Sequence, residues 1–241
     1  MFRRTTQIGS IYVKFPPDYM LLYMNNIVLY GNGALTKDLI CYNAKYRLYN
    51  IVAIIDDSKE HKTNSKVRVL TFDEFKASYE ELGCPKVLVT IGYSRCNSIR
   101  EEVYNKVKDA GFLFANFISP RCVCWSDLSE CSNLIILDNV YIGPDCKLGN
   151  GVVIYPGTAL AHDNVVEDFA FISVSAVVGG NACVKRNSFI GLGAIIKSSI
   201  TIEEFNIVAS GANVIKTTMP KSVVKGNPAT EVFKETLEVK I

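Results

Sequence analysis

Aliphatic residues recur at every sixth position through the second half of the chain, without a break from Ile136 to Val214. This period matches neither the 3.6-residue repeat of a helix nor the two-residue repeat of a strand. It fits a triangular β-coil in which each flat side takes one hexapeptide and its aliphatic side chain points inward. Fourteen repeats then form between four and five coils. The series is Ile136, Ile142, Leu148, Ile154, Leu160, Val166, Ile172, Val178, Val184, Ile190, Ile196, Ile202, Val208 and Val214.

Small residues stand two places before the aliphatic ones, as a tight corner of such a coil requires. They are Thr158, Asn164, Ala170, Ala176, Ala182, Ser188 and Ala194. Burial of each inward aliphatic side chain stabilises the fold by roughly 1.5–3 kcal/mol, so we expect the stack to be stable without disulfides. An ordinary β-sandwich does not explain so strict a period.

The first half of the chain alternates short apolar runs with amphipathic ones. The runs at 27–30, 51–56, 86–92 and 112–118 predict strands, because β-branched and aromatic residues fill them and turn formers bound them. The segment 97–109 predicts a helix, since its apolar residues recur every fourth position among charged neighbours. Strands that alternate with helices indicate a mainly parallel sheet with helices packed on its faces.

A glycine turn leads from the first predicted strand into a helix in "YGNGALTKDLI", residues 30–40. Free backbone N–H groups at such a turn can hold a phosphate. A third glycine near Thr36 is missing, which argues against NAD. Asp56 and Asp57 follow the second strand, at the edge where open α/β sheets bind ligands. The alternative for these carboxylates is a turn and helix cap, but together with Gly31 and Gly33 they favour a nucleotide-type ligand.

Composition and charge exclude several classes. The chain has 241 residues, is 49% hydrophobic and carries a formal charge of +2, which gives no electrostatic footprint for nucleic acid or an anionic membrane. Eight scattered cysteines, without zinc or thioredoxin spacing, indicate reduced thiols and a cytoplasmic location. Residues 1–23 contain some apolar positions but no cleavage site, so we expect a poorly ordered extension there.

Both halves together resemble a known family of enzymes. From "IVLYGNGALTKDL" and "AIIDDS" through "TIGYSRCNSIR" to "GTALAHDNVVEDFAFISVSAVVGGN" and "MPKSVVKGNPA", the chain resembles the hexapeptide-repeat left-handed β-helix sugar acyltransferases. Within them it is most similar to the bacterial UDP-4-amino-sugar N-acetyltransferases and sialic acid O-acetyltransferases. The resemblance implies a Rossmann-like α/β domain over residues 24–118, which binds a nucleotide sugar, and a left-handed parallel β-helix over residues 119–241.

The resemblance also assigns the chemistry. It implies a homotrimer that binds acetyl-CoA in the groove between neighbouring coils, with His162 as general base and Asp163 holding its ring. An imidazole can take the proton of an attacking amine or hydroxyl at neutral pH. Gly180 then stabilises the oxyanion or contacts the thioester. The hexapeptide frame itself places His162 at a corner, two residues after inward Leu160, where an inert surface residue is the alternative.

Further site residues come from the same resemblance. It implies substrate binding by Gly31, Gly33, Lys37, Asp56, Asp57 and Gly92, and acyl-CoA binding by Phe171, Gly180, Gly193, Lys216 and Lys225. Phe171 stands where many relatives have a second histidine. The glycine loop is also shorter than theirs and lacks their histidine, with Lys37 expected to take over part of the phosphate binding.

The sequence thus predicts acetyl transfer from acetyl-CoA to the amine of a nucleotide-linked amino sugar in bacterial glycan synthesis. The first alternative is O-acetylation of sialic acid or another glycan precursor, and the second is a non-catalytic nucleotide-sugar-binding protein. A three-histidine zinc site is excluded, because the chain has only His61 and His162. Direct transfer follows from the lack of a suitable nucleophile in the His162 segment.

Overall fold

The computed structural model describes residues 5–8, 11–14, 25–58, 67–233 and 236–239. Two short strands, β1 (Thr5–Ile8) and β2 (Ile11–Lys14), pair in antiparallel fashion within the segment expected to be an unstructured extension. The rest of that segment, and His61, lie outside the described residues.

The α/β domain follows. Its elements are β3 (Asn26–Tyr30), α1 (Ala34–Tyr46), β4 (Asn50–Ile55), β5 (Arg68–Leu70), α2 (Phe72–Ala77), β6 (Lys86–Val89) and α3 (Ser98–Asp109). The four strands form one parallel sheet in the order β5-β4-β3-β6. Three predicted strands and the helix at 97–109 are therefore present, while β5 and α2 were not foreseen. The α2 helix begins with a capping box, in which the Thr71 hydroxyl accepts from the Glu74 N–H.

Sixteen two-residue strands then wind into a parallel β-helix. They are β7 (Phe117–Ile118), β8 (Val123–Cys124), β9 (Ile135–Ile136), β10 (Tyr141–Ile142), β11 (Lys147–Leu148), β12 (Val153–Ile154), β13 (Ala159–Leu160), β14 (Val165–Val166), β15 (Phe171–Ile172), β16 (Val177–Val178), β17 (Cys183–Val184), β18 (Phe189–Ile190), β19 (Ile195–Ile196), β20 (Thr201–Ile202), β21 (Ile207–Val208) and β22 (Asn213–Val214). Two longer strands, β23 (Ser222–Gly226) and β24 (Ala229–Phe233), close the coil as an antiparallel pair.

The strands stack on three faces, and partners in most of the helix are 18 residues apart, so one coil takes three hexapeptides. Face A contains β7, β9, β12, β15, β18, β21 and β23, and face B contains β8, β10, β13, β16, β19 and β22. Face C contains β11, β14, β17 and β20. The chain turns from A to B to C, which gives an A/B, a B/C and a C/A corner. The predicted triangular coil is therefore confirmed.

Each corner depends on a residue in the left-handed conformation. Such residues recur every sixth position from Asn133 to Gly211, with φ between 54° and 73°. Asn, Asp and Gly occupy most of these positions, as expected because they tolerate positive φ best. The next residue points inward. At most corners from residue 158 onward it is small, and Thr158, Ala170 and Ala176 have no exposed surface. The small positions read from the sequence are thus the inner lining of the corners.

The α/β domain packs on face A of the β-helix. The outward side chains of this face are apolar and buried in the interface: Ile135, Val153, Phe171, Phe189 and Ile207. The segment 112–118, expected to be a fourth strand of the α/β sheet, is divided instead. Phe114 makes an isolated bridge to Val87, whereas Phe117–Ile118 pairs with Ile135–Ile136 as the first rung of face A. Its apolar run reflects burial at this interface and not membership of the sheet.

None of the described helices is both long and apolar enough to cross a membrane. All eight cysteines are free thiols.

Candidate functional site

His162 lies on the B/C corner, with 65% of its side chain exposed. Its Nδ1 is 2.6 Å from Oδ2 of Asp163, and the two residues occupy adjacent positions of the corner turn. Asp163 has the left-handed conformation, with φ of 57°, and its N–H donates to the carbonyl of Pro144 one coil below. The corner geometry therefore brings the carboxylate beside the ring and leaves Nε2 for other chemistry.

Gly180 stands directly above His162, one coil further along the same corner. A Cβ at Gly180 would come within 2.6 Å of Nε2 of His162 and 2.8 Å of its Cε1. The ring therefore packs against the glycine in space that a side chain would fill. The amides on either side are used, since Gly179 donates to Ile196 and Asn181 donates to the His162 carbonyl. Among the described residues, none accepts a hydrogen bond from the Gly180 N–H.

The residues expected to bind acyl-CoA lie at different places. Lys216 is on the His162 corner, three coils above it and hence roughly 14 Å away along the coil axis. Gly193 is on the A/B corner, with a φ of 61° and open space around it. Lys225 is exposed on β23 of the closing pair. Of these three residues, Lys216 alone shares a corner with His162 and Gly180.

Phe171 is not available to any ligand. It has no exposed surface, and its outward side chain on face A packs among Tyr93, Tyr155 and Phe189 in the domain interface. The expectation that Phe171 helps to bind acyl-CoA is therefore wrong. Outward positions on face A are covered by the α/β domain, so a residue there contributes to domain packing.

The glycine turn forms the N-terminal edge of α1 in the α/β domain. Gly31 has φ of 126° and donates its N–H to Ile55, while Gly33 is the N-cap and provides no side-chain cap. The first turn of α1 carries no acidic residue. Lys37 is exposed on the next turn. The amides at this helix start are thus left for an anionic group.

The two carboxylates after β4 have different roles. Asp56 accepts from Nδ2 of Asn32 at 2.9 Å and from the Ser58 N–H, which links it to the glycine turn. Asp57 accepts from the Phe72 N–H at 2.8 Å, from Lys106 Nζ at 2.7 Å and from the Tyr30 hydroxyl.

Burial opposes ionisation of Asp57, but the hydrogen bonds from Lys106, Tyr30 and Phe72 prevail and lower its pKa. Both oxygens therefore accept hydrogen bonds within the protein, which fixes the orientation of the carboxylate, while 42% of the side chain stays exposed.

Gly92 follows β6 at the same edge of the sheet as Gly31 and Asp56. Its carbonyl accepts a hydrogen bond from Arg100 at 3.0 Å. Sequence reasoning missed Asn32 and Arg100, although both stand inside motifs that were singled out. The signal for Asn32 was its place between the two glycines, whereas nothing local indicated that Arg100 is buried.

The residues around His162 and the residues at the carboxyl edge of the α/β sheet do not lie together within one chain. The α/β domain covers face A, and His162 is on the B/C corner, the one corner that face A does not reach. The His162 group and the Gly31, Asp56 and Gly92 group therefore face different sides of the protomer.

No group of His, Cys, Asp and Glu among the described residues could hold a metal ion. Burial raises the pKa of the Cys183 thiol, which lies on face C near the His162 corner. This thiol therefore favours its protonated form and is a poor nucleophile.

No protein-family model matches the sequence. Among solved structures, the acetyltransferase domain of PglB from Neisseria gonorrhoeae in complex with acetyl coenzyme A has a TM-score of 0.75 at 21% identity, covering 87% of this chain and 100% of that chain. PerB from Caulobacter crescentus, in complex with CoA and GDP-perosamine, has a TM-score of 0.67 at 22% identity, covering 86% and 97%. WeeI from Acinetobacter baumannii has a TM-score of 0.53 at 20% identity, covering 86% and 99%. This chain therefore has the fold of these solved proteins, in which an α/β domain is followed by a parallel β-helix.

Proposed function

We propose that this protein transfers an acetyl group from acetyl-CoA to the amine of a nucleotide-linked amino sugar, with His162 as general base. The observation that carries the proposal is the pair of contacts around one imidazole. Nδ1 faces the Asp163 carboxylate at 2.6 Å, and the ring packs against Gly180. Two of the similar structures hold acetyl coenzyme A, or CoA together with GDP-perosamine.

The reaction needs one proton transfer and one acyl transfer. As the sugar nitrogen attacks the thioester carbonyl carbon, Nε2 of His162 takes the amine proton. The C–S bond then breaks, and the CoA thiolate leaves and receives a proton. Asp163 stabilises the imidazolium through Nδ1–H. The acetyl group goes directly to the sugar, because the protonated thiol of Cys183 is a poor nucleophile.

The Gly180 amide supplies the donor for the oxyanion. It lies one coil above the base and has no acceptor among the described residues. A preorganised donor at this position stabilises charge that develops on the carbonyl oxygen. CoA would run along the B/C corner from this amide toward Lys216, whose ammonium suits its phosphates. Gly193 and Lys225 stay as predicted contacts with acetyl-CoA.

The nucleotide sugar binds at the carboxyl edge of the α/β sheet, in a Rossmann-like manner. The free amides at the start of α1 and the exposed Lys37 suit a diphosphate. The linked pair Asn32 and Asp56 presents an amide and a carboxylate beside the turn, which suits a base or a ribose.

A neighbouring subunit completes the site. Since His162 faces away from its own α/β domain, the amino sugar held by one protomer reaches the base of another. Threefold symmetry of left-handed β-helices would create three such sites. Face B supports this assembly, because its outward residues Val123, Tyr141, Val177 and Ile195 are apolar and 42–50% exposed. We place the homotrimer in the cytoplasm, where acetyl-CoA and nucleotide sugars occur.

The test measures thiol release from acetyl-CoA by the purified protein with UDP-linked 4-amino sugars, GDP-perosamine and free sialic acids. We expect release with a nucleotide-linked amino sugar, and mass spectrometry should detect the N-acetylated product. His162→Ala should lower kcat by roughly 10²–10⁴-fold. A response to sialic acid alone would support O-acetylation, and nucleotide-sugar binding without thiol release would indicate a non-catalytic protein.

A further inference from the structure

Arg100 is the largest fully buried side chain among the described residues, with 0% of its surface exposed. None of the ion pairs between described residues includes it. Burial lowers the pKa of its guanidinium to about 9, which leaves it charged at neutral pH. A buried cation without a carboxylate is costly unless its donors are satisfied in another way.

Backbone carbonyls from both domains satisfy these donors. Nε donates to the Gly151 carbonyl at 3.1 Å and Nη2 donates to the Phe169 carbonyl at 2.6 Å. These acceptors are on the C/A corner of successive coils. Nη1 donates to the Gly92 carbonyl at 3.0 Å and to the Ile91 carbonyl at 3.4 Å. One planar group therefore ties the loop after β6 to two rungs of the β-helix.

That loop is part of the predicted nucleotide-sugar edge. A Cβ at Gly31 would come within 3.2 Å of Ile91 Cγ1 and of the Thr90 carbonyl, so the loop packs directly against the glycine turn. The Thr90 hydroxyl also lies 2.7 Å from that of Thr36 in the first turns of α1. A shift of the loop would therefore displace the start of α1.

Two other side chains of α3 also make polar contacts with the β-helix, but Arg100 alone of the three is hydrogen-bonded to the loop after β6. Glu101 accepts from Arg186 and from Asn187 Nδ2, and Tyr104 shares a hydrogen bond with Ser132. No hydrogen bond between described residues joins either side chain to the loop after β6. An interface that served stability alone would not need a buried cation aimed at two loop carbonyls.

We propose that Arg100 is a positioning residue that fixes the loop Ile91–Gly92 of the nucleotide-sugar site against the β-helix. This role rests on the proposed function. The rigid fork of the guanidinium holds four carbonyls at once, which a single ammonium cannot reproduce. Arg100 thus sets the pose of the sugar nucleotide without contacting it and without affecting the acetyl-CoA groove on the opposite corner.

The experiment compares Arg100→Lys with the control Glu101→Gln, which weakens a neighbouring interdomain contact on the same helix. Steady-state kinetics with acetyl-CoA and the preferred nucleotide-linked amino sugar are measured below the Tm of each variant. We expect Arg100→Lys to raise the KM for the sugar nucleotide roughly 10-fold, with the KM for acetyl-CoA within about twofold of wild type. Glu101→Gln should lower the Tm and leave both KM values unchanged.

Arg100→Gln provides a second variant in case Arg100→Lys does not fold, because glutamine keeps a planar donor and removes the buried charge. The shorter glutamine amide cannot reach the Gly151, Phe169 and Gly92 carbonyls together, so we expect this variant also to raise the sugar-nucleotide KM selectively. Equal KM changes for both substrates, or no selective rise in any folded variant, would overturn the role of Arg100. An inactive wild type would instead contradict the proposed function, and this role would fall with it.

Discussion

The ring of His162 occupies the space that a side chain on Gly180 would need: a Cβ there would lie 2.6 Å from Nε2. Two residues 18 positions apart in sequence are therefore packed one above the other at a single corner. The contact exists because one coil takes 18 residues, so each corner residue meets the residue one coil further along.

Gly180→Ala should damage catalysis without unfolding the protein. The added methyl group pushes the ring away from the donor amide, and we expect kcat to fall roughly 10–100-fold. The φ of Gly180 is outside the left-handed region, so alanine strains no backbone there, and the Tm should change little. The double variant with His162→Ala should lose no more activity than His162→Ala alone. Additive losses would mean that Gly180 acts independently of the ring.

Asp163→Asn should lower kcat at least roughly 10-fold, because the imidazolium formed during reaction loses its carboxylate partner. Asparagine tolerates the left-handed conformation of this position, so the fold should be preserved. Asp145→Asn is the matched control, since Asp145 has φ of 58° at the same corner one coil below. Equal effects of the two substitutions would refute the specific role of Asp163.

Val177→Lys and Ile195→Lys should disrupt the proposed trimer. Both side chains are about half exposed on face B, and a charge at the centre of an apolar contact prevents its burial. Light scattering should show a trimer for wild type and a smaller species for the variants, with loss of activity. Leu113→Lys, which changes an exposed apolar residue of the α/β domain, serves as the control. A wild-type enzyme that is active as a monomer would contradict the shared site.

Asp138 should make the stability of the domain contact depend on pH. Asp138 is 8% exposed, and its carboxylate accepts from Tyr46 at 2.7 Å and from Ser119 at 2.5 Å, with Lys45 and Arg121 nearby. Burial opposes ionisation of this group, but these hydrogen bonds and cations prevail and lower its pKa.

Because the folded pKa lies below the unfolded value of about 3.9, this stabilisation is complete above about pH 5 and is lost progressively as the pH falls through the folded pKa. Asp138→Asn should therefore lower the Tm by roughly 2–6 °C at pH 7, with a smaller difference at pH 3. Asp145→Asn is the control for removing an exposed carboxylate. A difference that is constant with pH would show that the charge of Asp138 does not contribute.

The sequence predicted the β-helix because its period is a property of consecutive residues. Every sixth residue from Ile136 faces the same interior, so the pattern survives without knowledge of distant contacts. The corner position of His162 followed from the same frame. The corner positions also show a six-residue recurrence of Asn, Asp and Gly in the sequence. Only the structure shows that the backbone at these positions is in the left-handed conformation.

The sequence could not reveal which outward residues become covered. Phe171 and Val177 both point away from the interior of the coil, yet Phe171 is fully buried and Val177 is 44% exposed. The difference arises because the α/β domain packs on face A and not on face B, a contact between distant segments. The same docking buries Arg100 and leaves His162 facing away from the sheet edge proposed to bind the nucleotide sugar. Local folding within the α/β domain engages Asp57. Local periodicity thus determined the fold of the coil and the corner position of His162, and tertiary packing decided which side chains remain available to a ligand.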